Sequence, residues 1–226
     1  YVCFKGHLLQ WRLTKTMTIF GSINMKSILD YRSLGEIETI SKKAARGIGL
    51  SWGISEEFGV CSRLLCQIGL PGISVLYKNI NYIKKNNIVE NICESNLGVF
   101  QGIRIFDELN IINFPLKLKI VYPICLIGML LKLKGYNYKI NVKSEDFDFI
   151  FDSMGVNLKG NYNDCFSTKD VVINIESSKS RCDFKNKYNN LVVNEDWNKM
   201  NKLASLTYVR SSDYSRTYGA GSFKDN

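Results

Sequence analysis

Histidine occurs once in this chain of 226 residues, at His7, and that scarcity excludes more than most of the residues present. A Ser or Cys nucleophile that depends on an imidazole base has no usable partner. Seven cysteines, at 3, 61, 66, 93, 125, 165 and 182, include no Cys-x-x-Cys pair, so the spacing of a zinc site is missing as well. They read as reduced, mostly buried thiols in a cytoplasm. Long apolar runs are also lacking. The most apolar stretch, Ile120 to Leu131, is bracketed by Lys117, Lys119, Lys132 and Lys134 and falls well short of the ~20 residues that a spanning helix needs. It belongs in a core, and no membrane span is expected.

Acidic residues are absent from 1–29, where Lys5, Arg12, Lys15 and Lys26 stand unopposed and contribute four of the nine net positive charges. This stretch has no continuous apolar region followed by a small-residue cleavage site, so a secretory signal is a poor match. It is read as a poorly ordered leader, with Met17 or Met25 as a start, ahead of a single domain over 30–226. The remaining chain is only mildly basic, and lysines interleaved with Asn and Ile, as in Tyr77 to Asn87, suit a solvated surface better than a nucleic-acid face. Hydrophobic residues at 45% and charged residues at 23% are ordinary for a folded domain, not for a disordered chain.

Positive signals begin at Ser33-Leu34-Gly35-Glu36, a capping box in which the hydroxyl and the carboxylate satisfy open N–H groups at a helix start. Ile37, Ile40 and Ala44 follow at helical spacing, which predicts a helix to about Arg46, closed by Gly47 in the left-handed conformation. A second helix is predicted from Trp52 to Ile68, ended by Gly69 to Gly72, and a third from about Ile73 to Lys84. From Leu97 the pattern changes. Gly98 to Leu109 and Leu116 to Tyr122 read as strands, Pro123 to Lys134 as a helix, and the runs at 136–142, 147–152, 171–177 and 190–193 as short strands. Helical spacing returns over Asn194 to Tyr208. The sum is an α+β fold: an N-terminal helical layer packed on a mainly antiparallel sheet, with one or two further helices.

Gly47, Gly49 and Gly53 invite a phosphate-cradle reading, but the spacing is G-x-G-x-x-x-G, after a helix rather than a strand. Glu56 and Glu57 near the start of the second helix would also repel a phosphate. An αα corner accounts for the same residues: Gly47 closes one helix, Trp52 plugs the wedge, and Arg46 pairs with Glu56 or Glu57. The two glutamates point about 100° apart on a helix and are not a ready acid and base pair.

The run from Ser33 through the corner to Gly59, with its K-A-A-R-G-x-G and W-G-x-x-E-E patterns, resembles an uncharacterised bacterial family, a domain of unknown function. The Gly69 to Gly72 turn and the closing stretch Thr207 to Asn226 are similar to it too. Arg210 stands where family members tend to have proline, and Asp213 where they tend to have glutamate. The resemblance implies kinship and two motif-rich ends, and no reaction.

Two classes of function follow. In the first, a small carboxylate-bearing metabolite binds between the corner and the C-terminal stretch: Arg46 and Arg216 hold the carboxylate, Glu56, Glu57 and Asp213 supply acid and base or recognise an amine, Tyr208 and Trp52 wall the site, and Ser212, Gly219 and Gly221 offer hydroxyl and backbone donors. In the second, corner and tail are docking surfaces for a partner protein and there is no catalysis. Neither requires a metal or a cofactor, and none is expected.

Overall fold

The computed structural model describes residues 29–89, 95–160, 162–184 and 191–208. Helix α1, Leu34–Gly47, starts at the expected capping box: Ser33 Oγ accepts from the Glu36 N–H at 3.2 Å and Glu36 Oε2 accepts from the Ser33 N–H at 2.8 Å. The Ser33 backbone N–H, and after it the Ser33 hydroxyl, favour the ionised Glu36 carboxylate and hold its carboxyl below the usual range. The stability it lends is therefore complete above the ordinary glutamate pKa and is lost as pH falls through the lowered one. Ser33→Ala should cost about 1 kcal/mol in equilibrium unfolding, the usual value of a lost N-cap.

Helices α2, Trp52–Gln67, and α3, Gly72–Lys85, follow at the predicted places. All three end in one way. The residue two past the last helical one is left-handed (Gly49, φ +99°; Gly69, φ +88°; Asn87, φ +50°), and its N–H together with the next returns to the last helical carbonyls. For α1 the bonds are Gly49 to the Arg46 carbonyl and Leu50 to the Ala45 carbonyl. This is the Schellman arrangement, and the apolar residue that completes it is Leu50, Leu70 or Ile88, each packed on the core. The left-handed glycine is thus Gly49, not Gly47 as the sequence leads one to expect. Gly47 is still helical, and what requires a glycine there is a neighbouring backbone: a Cβ would lie 2.0 Å from the carbonyl oxygen of Leu203.

A larger departure is α4, Gly98–Asp107, where the β-branched and aromatic residues predict a strand. Its glycines decide the matter. Gly98 and Gly102, four apart on one helical face, press against α5, Pro123–Leu130: a Cβ on Gly98 would meet the Tyr122 carbonyl at 2.3 Å, and one on Gly102 would meet Met129 Cβ at 2.4 Å. Every residue of α5 is buried, as its apolar run implies, and a 3₁₀ turn at Leu131–Leu133 continues it.

The sheet holds five strands in the order β2-β6-β3-β4-β5, all antiparallel: β2 Leu116–Ile120, β3 Tyr138–Lys143, β4 Phe147–Asp152, β5 Gly155–Gly160 and β6 Lys169–Ser177. Ile140, Val142, Phe147, Phe149, Phe151, Val171, Ile173 and Ile175 alternate onto its buried face and join the helical side chains in one core. The sequence does not announce β5, since Gly-Val-Asn-Leu-Lys-Gly carries little strand signal and pairing with β4 supplies the rest. A separate pair joins β1, Leu29–Tyr31, to β7, Leu191–Val193, so Leu29, expected in the leader, is paired with Val193. From β7 the chain enters α6, Asn194–Ala204, which returns along α1.

Candidate functional site

The last turns of α1 carry Lys42, Lys43 and Arg46, at the end of a helix where its dipole favours cations. Trp52 opens α2 immediately beyond the Schellman turn, and its indole is 62% exposed, so it caps the corner from outside and does not fill the wedge as expected. The Arg46 guanidinium carbon lies 5.2 Å from the indole centroid, and Nη1 donates to the Leu50 carbonyl at 2.6 Å. Lys42 Nζ lies 5.6 Å from the same ring and pairs with Glu56. On the neighbouring side the return of α6 and its 3₁₀ extension, Ser205–Thr207, delivers Tyr208, 61% exposed, with Lys43 Nζ 5.3 Å from its ring centroid. Leu206, also exposed, comes in at Gly47, where its Cβ is 3.5 Å from the place a glycine Cβ would take.

Of the residues singled out by sequence, Arg46, Trp52, Glu56 and Tyr208 therefore gather around the end of α1. Glu57 does not. It points to the end of α5 and holds Lys132 through both carboxylate oxygens at 2.8 and 2.9 Å. The expected pair of Arg46 with Glu56 or Glu57 is absent: Lys42 and Lys132 take the two carboxylates, and Arg46 takes a backbone carbonyl and an indole face. Ser212, Asp213, Arg216, Gly219 and Gly221 lie outside the described residues. Sequence reasoning misses Lys43, although its i, i+3 spacing from Arg46 on a helix that ends in an exposed aromatic is a usable signal.

The geometry bears on chemistry as well. The N–H groups of Gly49 and Leu50 are engaged in closing α1, so they do not form an anion cradle. The five described cysteines are free and buried. Burial pushes the Cys66 thiol up to about 11 and the Cys165 thiol up to about 12, and the hydrogen bond with Cys125, together with burial, raises Cys61 well above its ordinary value. Thiols shifted in this way stay protonated at neutral pH and are poor nucleophiles. Among the described residues no three His, Cys, Asp or Glu side chains are grouped to hold a metal ion, and no helix is long and apolar enough to cross a membrane.

The molecule is thus an α+β protein whose candidate site is an open basic and aromatic corner between α1, α2 and the end of α6. Residues 32–100 match the model of a family described as a protein of unknown function, DUF3726. That match takes in α1, the corner, α2, α3 and the first turn of α4, and it leaves out the sheet and Tyr208. No curated protein and no solved structure matches the chain.

Proposed function

We propose that the corner binds a small carboxylate-bearing ligand without transforming it. The observation that carries this reading is the pair Lys43 and Arg46: both lie on one face of α1, neither has an acidic partner among the described residues, and each is covered by an exposed aromatic ring, Tyr208 for Lys43 and Trp52 for Arg46. Two cations held over rings, with no acidic partner among the described residues, suit a planar anion. Catalysis is the weaker reading, because Glu56 is engaged by Lys42 and Glu57 faces Lys132 on another side of the molecule. Among the described residues no acid and base are assembled on a common point.

A thermal-shift screen of small mono- and dicarboxylates, amino acids and nucleotides tests the proposal. A ligand at a hundred times its Kd stabilises the fold by about 2.7 kcal/mol if it binds the native state alone. Lys43→Ala should weaken that ligand about ten-fold or more, the worth of a charge-assisted hydrogen bond, and should hardly alter the unliganded protein. Arg46→Ala should weaken it similarly and also cost about 1 kcal/mol of stability through the lost bond to the Leu50 carbonyl. A ligand that binds both variants as well as the unaltered chain does not sit at this corner.

A second reading rests on exposure. Trp52, Leu206 and Tyr208 are 62%, 63% and 61% exposed and lie about one helix end, and Trp, Tyr and Arg are the side chains that most often anchor protein interfaces. A partner protein docked there would cover all three side chains at once. A screen without a hit, in a protein whose Trp52 fluorescence responds to a partner, would favour this reading over the first.

A further inference from the structure

A concavity of about 560 Å³ lies at the end of the sheet where the chain enters β3 and leaves β6. It is a broad depression open to solvent, with room for a small molecule laid against its floor. Tyr136, Asn137, Tyr138, Ser177, Ser178 and Arg181 line it. The two tyrosine rings are near parallel, with centroids 6.5 Å apart and planes at 23°, and Tyr136 is 53% exposed. The exposed Tyr136 ring, backed by the half-buried Tyr138, offers a face on which a further ring can lie.

The floor is held by backbone bonds rather than by mobile side chains. The Gly135 N–H donates to the Cys182 carbonyl, the Cys182 N–H to the Tyr136 carbonyl and the Ser178 N–H to the Asn137 carbonyl, each at 2.8 Å. The buried Cys182 thiol adds a bond of its own, donating to the Leu133 carbonyl at 2.8 Å. Arg181 is exposed on the rim and has no acidic partner among the described residues. Its neighbour Asp183 is engaged elsewhere, by Lys134 and the Phe184 N–H.

We propose that this depression binds a nucleoside monophosphate or an aromatic anion of similar size, its ring on Tyr136 and its anionic group held by Arg181 with the Ser177 and Ser178 hydroxyls. Two chemistries meet at this depression: an exposed tyrosine face, which is tolerant of any planar ring, and a guanidinium without an acidic partner among the described residues, which selects the anion. Asn137 adds amide donors and an acceptor for the ring edge or ribose. The site is separate from the α1 corner and does not depend on what binds there.

The test is a titration of the full chain with AMP, adenosine and inorganic phosphate, followed by amide resonances. AMP should shift the amides of 135–138 and 177–182 at millimolar concentration or below, with adenosine and phosphate each bound about ten-fold or more weakly, since each keeps only one of the two contacts. Arg181→Ala and Tyr136→Ala should each weaken AMP about ten-fold, while Tyr136→Phe, which keeps the ring, should retain it. Both positions are exposed, so the variants should keep the unaltered amide spectrum elsewhere. A flat AMP titration, shifts confined to other residues, adenosine bound as well as AMP, or AMP affinity unchanged in Arg181→Ala would each overturn the proposal.

Discussion

Alanine at Gly98 should lower the stability of this protein by about 3 kcal/mol, the upper part of the usual range for forcing extra volume into a packed contact. At this chain length that corresponds to roughly 6–12 °C in the unfolding midpoint. The added Cβ would stand 2.3 Å from the Tyr122 carbonyl oxygen and 2.8 Å from the Leu126 nitrogen. Both are backbone atoms, so no rotamer change relieves them. They belong to the entry and first turn of α5, which is buried over its whole length and cannot retreat without opening the core on its other side. Gly53→Ala serves as the control, because its Cβ would meet nothing within 4 Å and a helical glycine is itself unfavourable; it should be neutral or slightly stabilising. Thermal or denaturant unfolding of the two variants measures the contrast. A Gly98→Ala protein as stable as the Gly53→Ala one would mean that α4 and α5 do not approach as closely as described.

The same glycine explains why α4 is hidden in the sequence and α1 is not. The signals of α1 are local: a capping box whose two bonds join residues three apart, and an apolar stripe on a single helix. Those of α4 are not, because Val99, Phe100, Ile103 and Ile105 favour a strand by themselves, and the helix becomes the better state only when Gly98 and Gly102 let α5 come within contact. The sheet divides similarly. β3, β4 and β6 alternate apolar residues and are legible, whereas β5 takes its form from its partner.

At the candidate site, Arg46 and Trp52 are close in sequence and their meeting is readable. The pairing of Lys43 with Tyr208 depends on α6 coming back along α1, and the pairing of Glu57 with Lys132 depends on where α5 ends. Charge counting cannot choose among thirty cations for twenty-one anions, and long-range packing makes each of those choices.

That return of α6 rests on Gly47, and alanine there should be as damaging as at Gly98, for a related reason. The new Cβ would lie 2.0 Å from the Leu203 carbonyl oxygen and 3.0 Å from its carbon, so α1 and α6 must separate. We expect a loss of about 3 kcal/mol. Separation would also carry Leu206 and Tyr208 away from the end of α1, and with them the ring over Lys43. Gly49→Ala makes the informative comparison. Its Cβ has room, the nearest atom being a Val89 methyl carbon at 3.7 Å, but its φ of +99° is strained for any residue with a Cβ. The cost there should be about 1–2 kcal/mol, from the backbone alone, with α6 left in place. Unfolding midpoints order the two variants, and the amide resonances of 203–208 tell the mechanisms apart: they should move in Gly47→Ala and stay in Gly49→Ala. The reverse order would restore Gly47 as the left-handed residue that closes α1 and would remove the close contact on which the Tyr208 side of the corner depends.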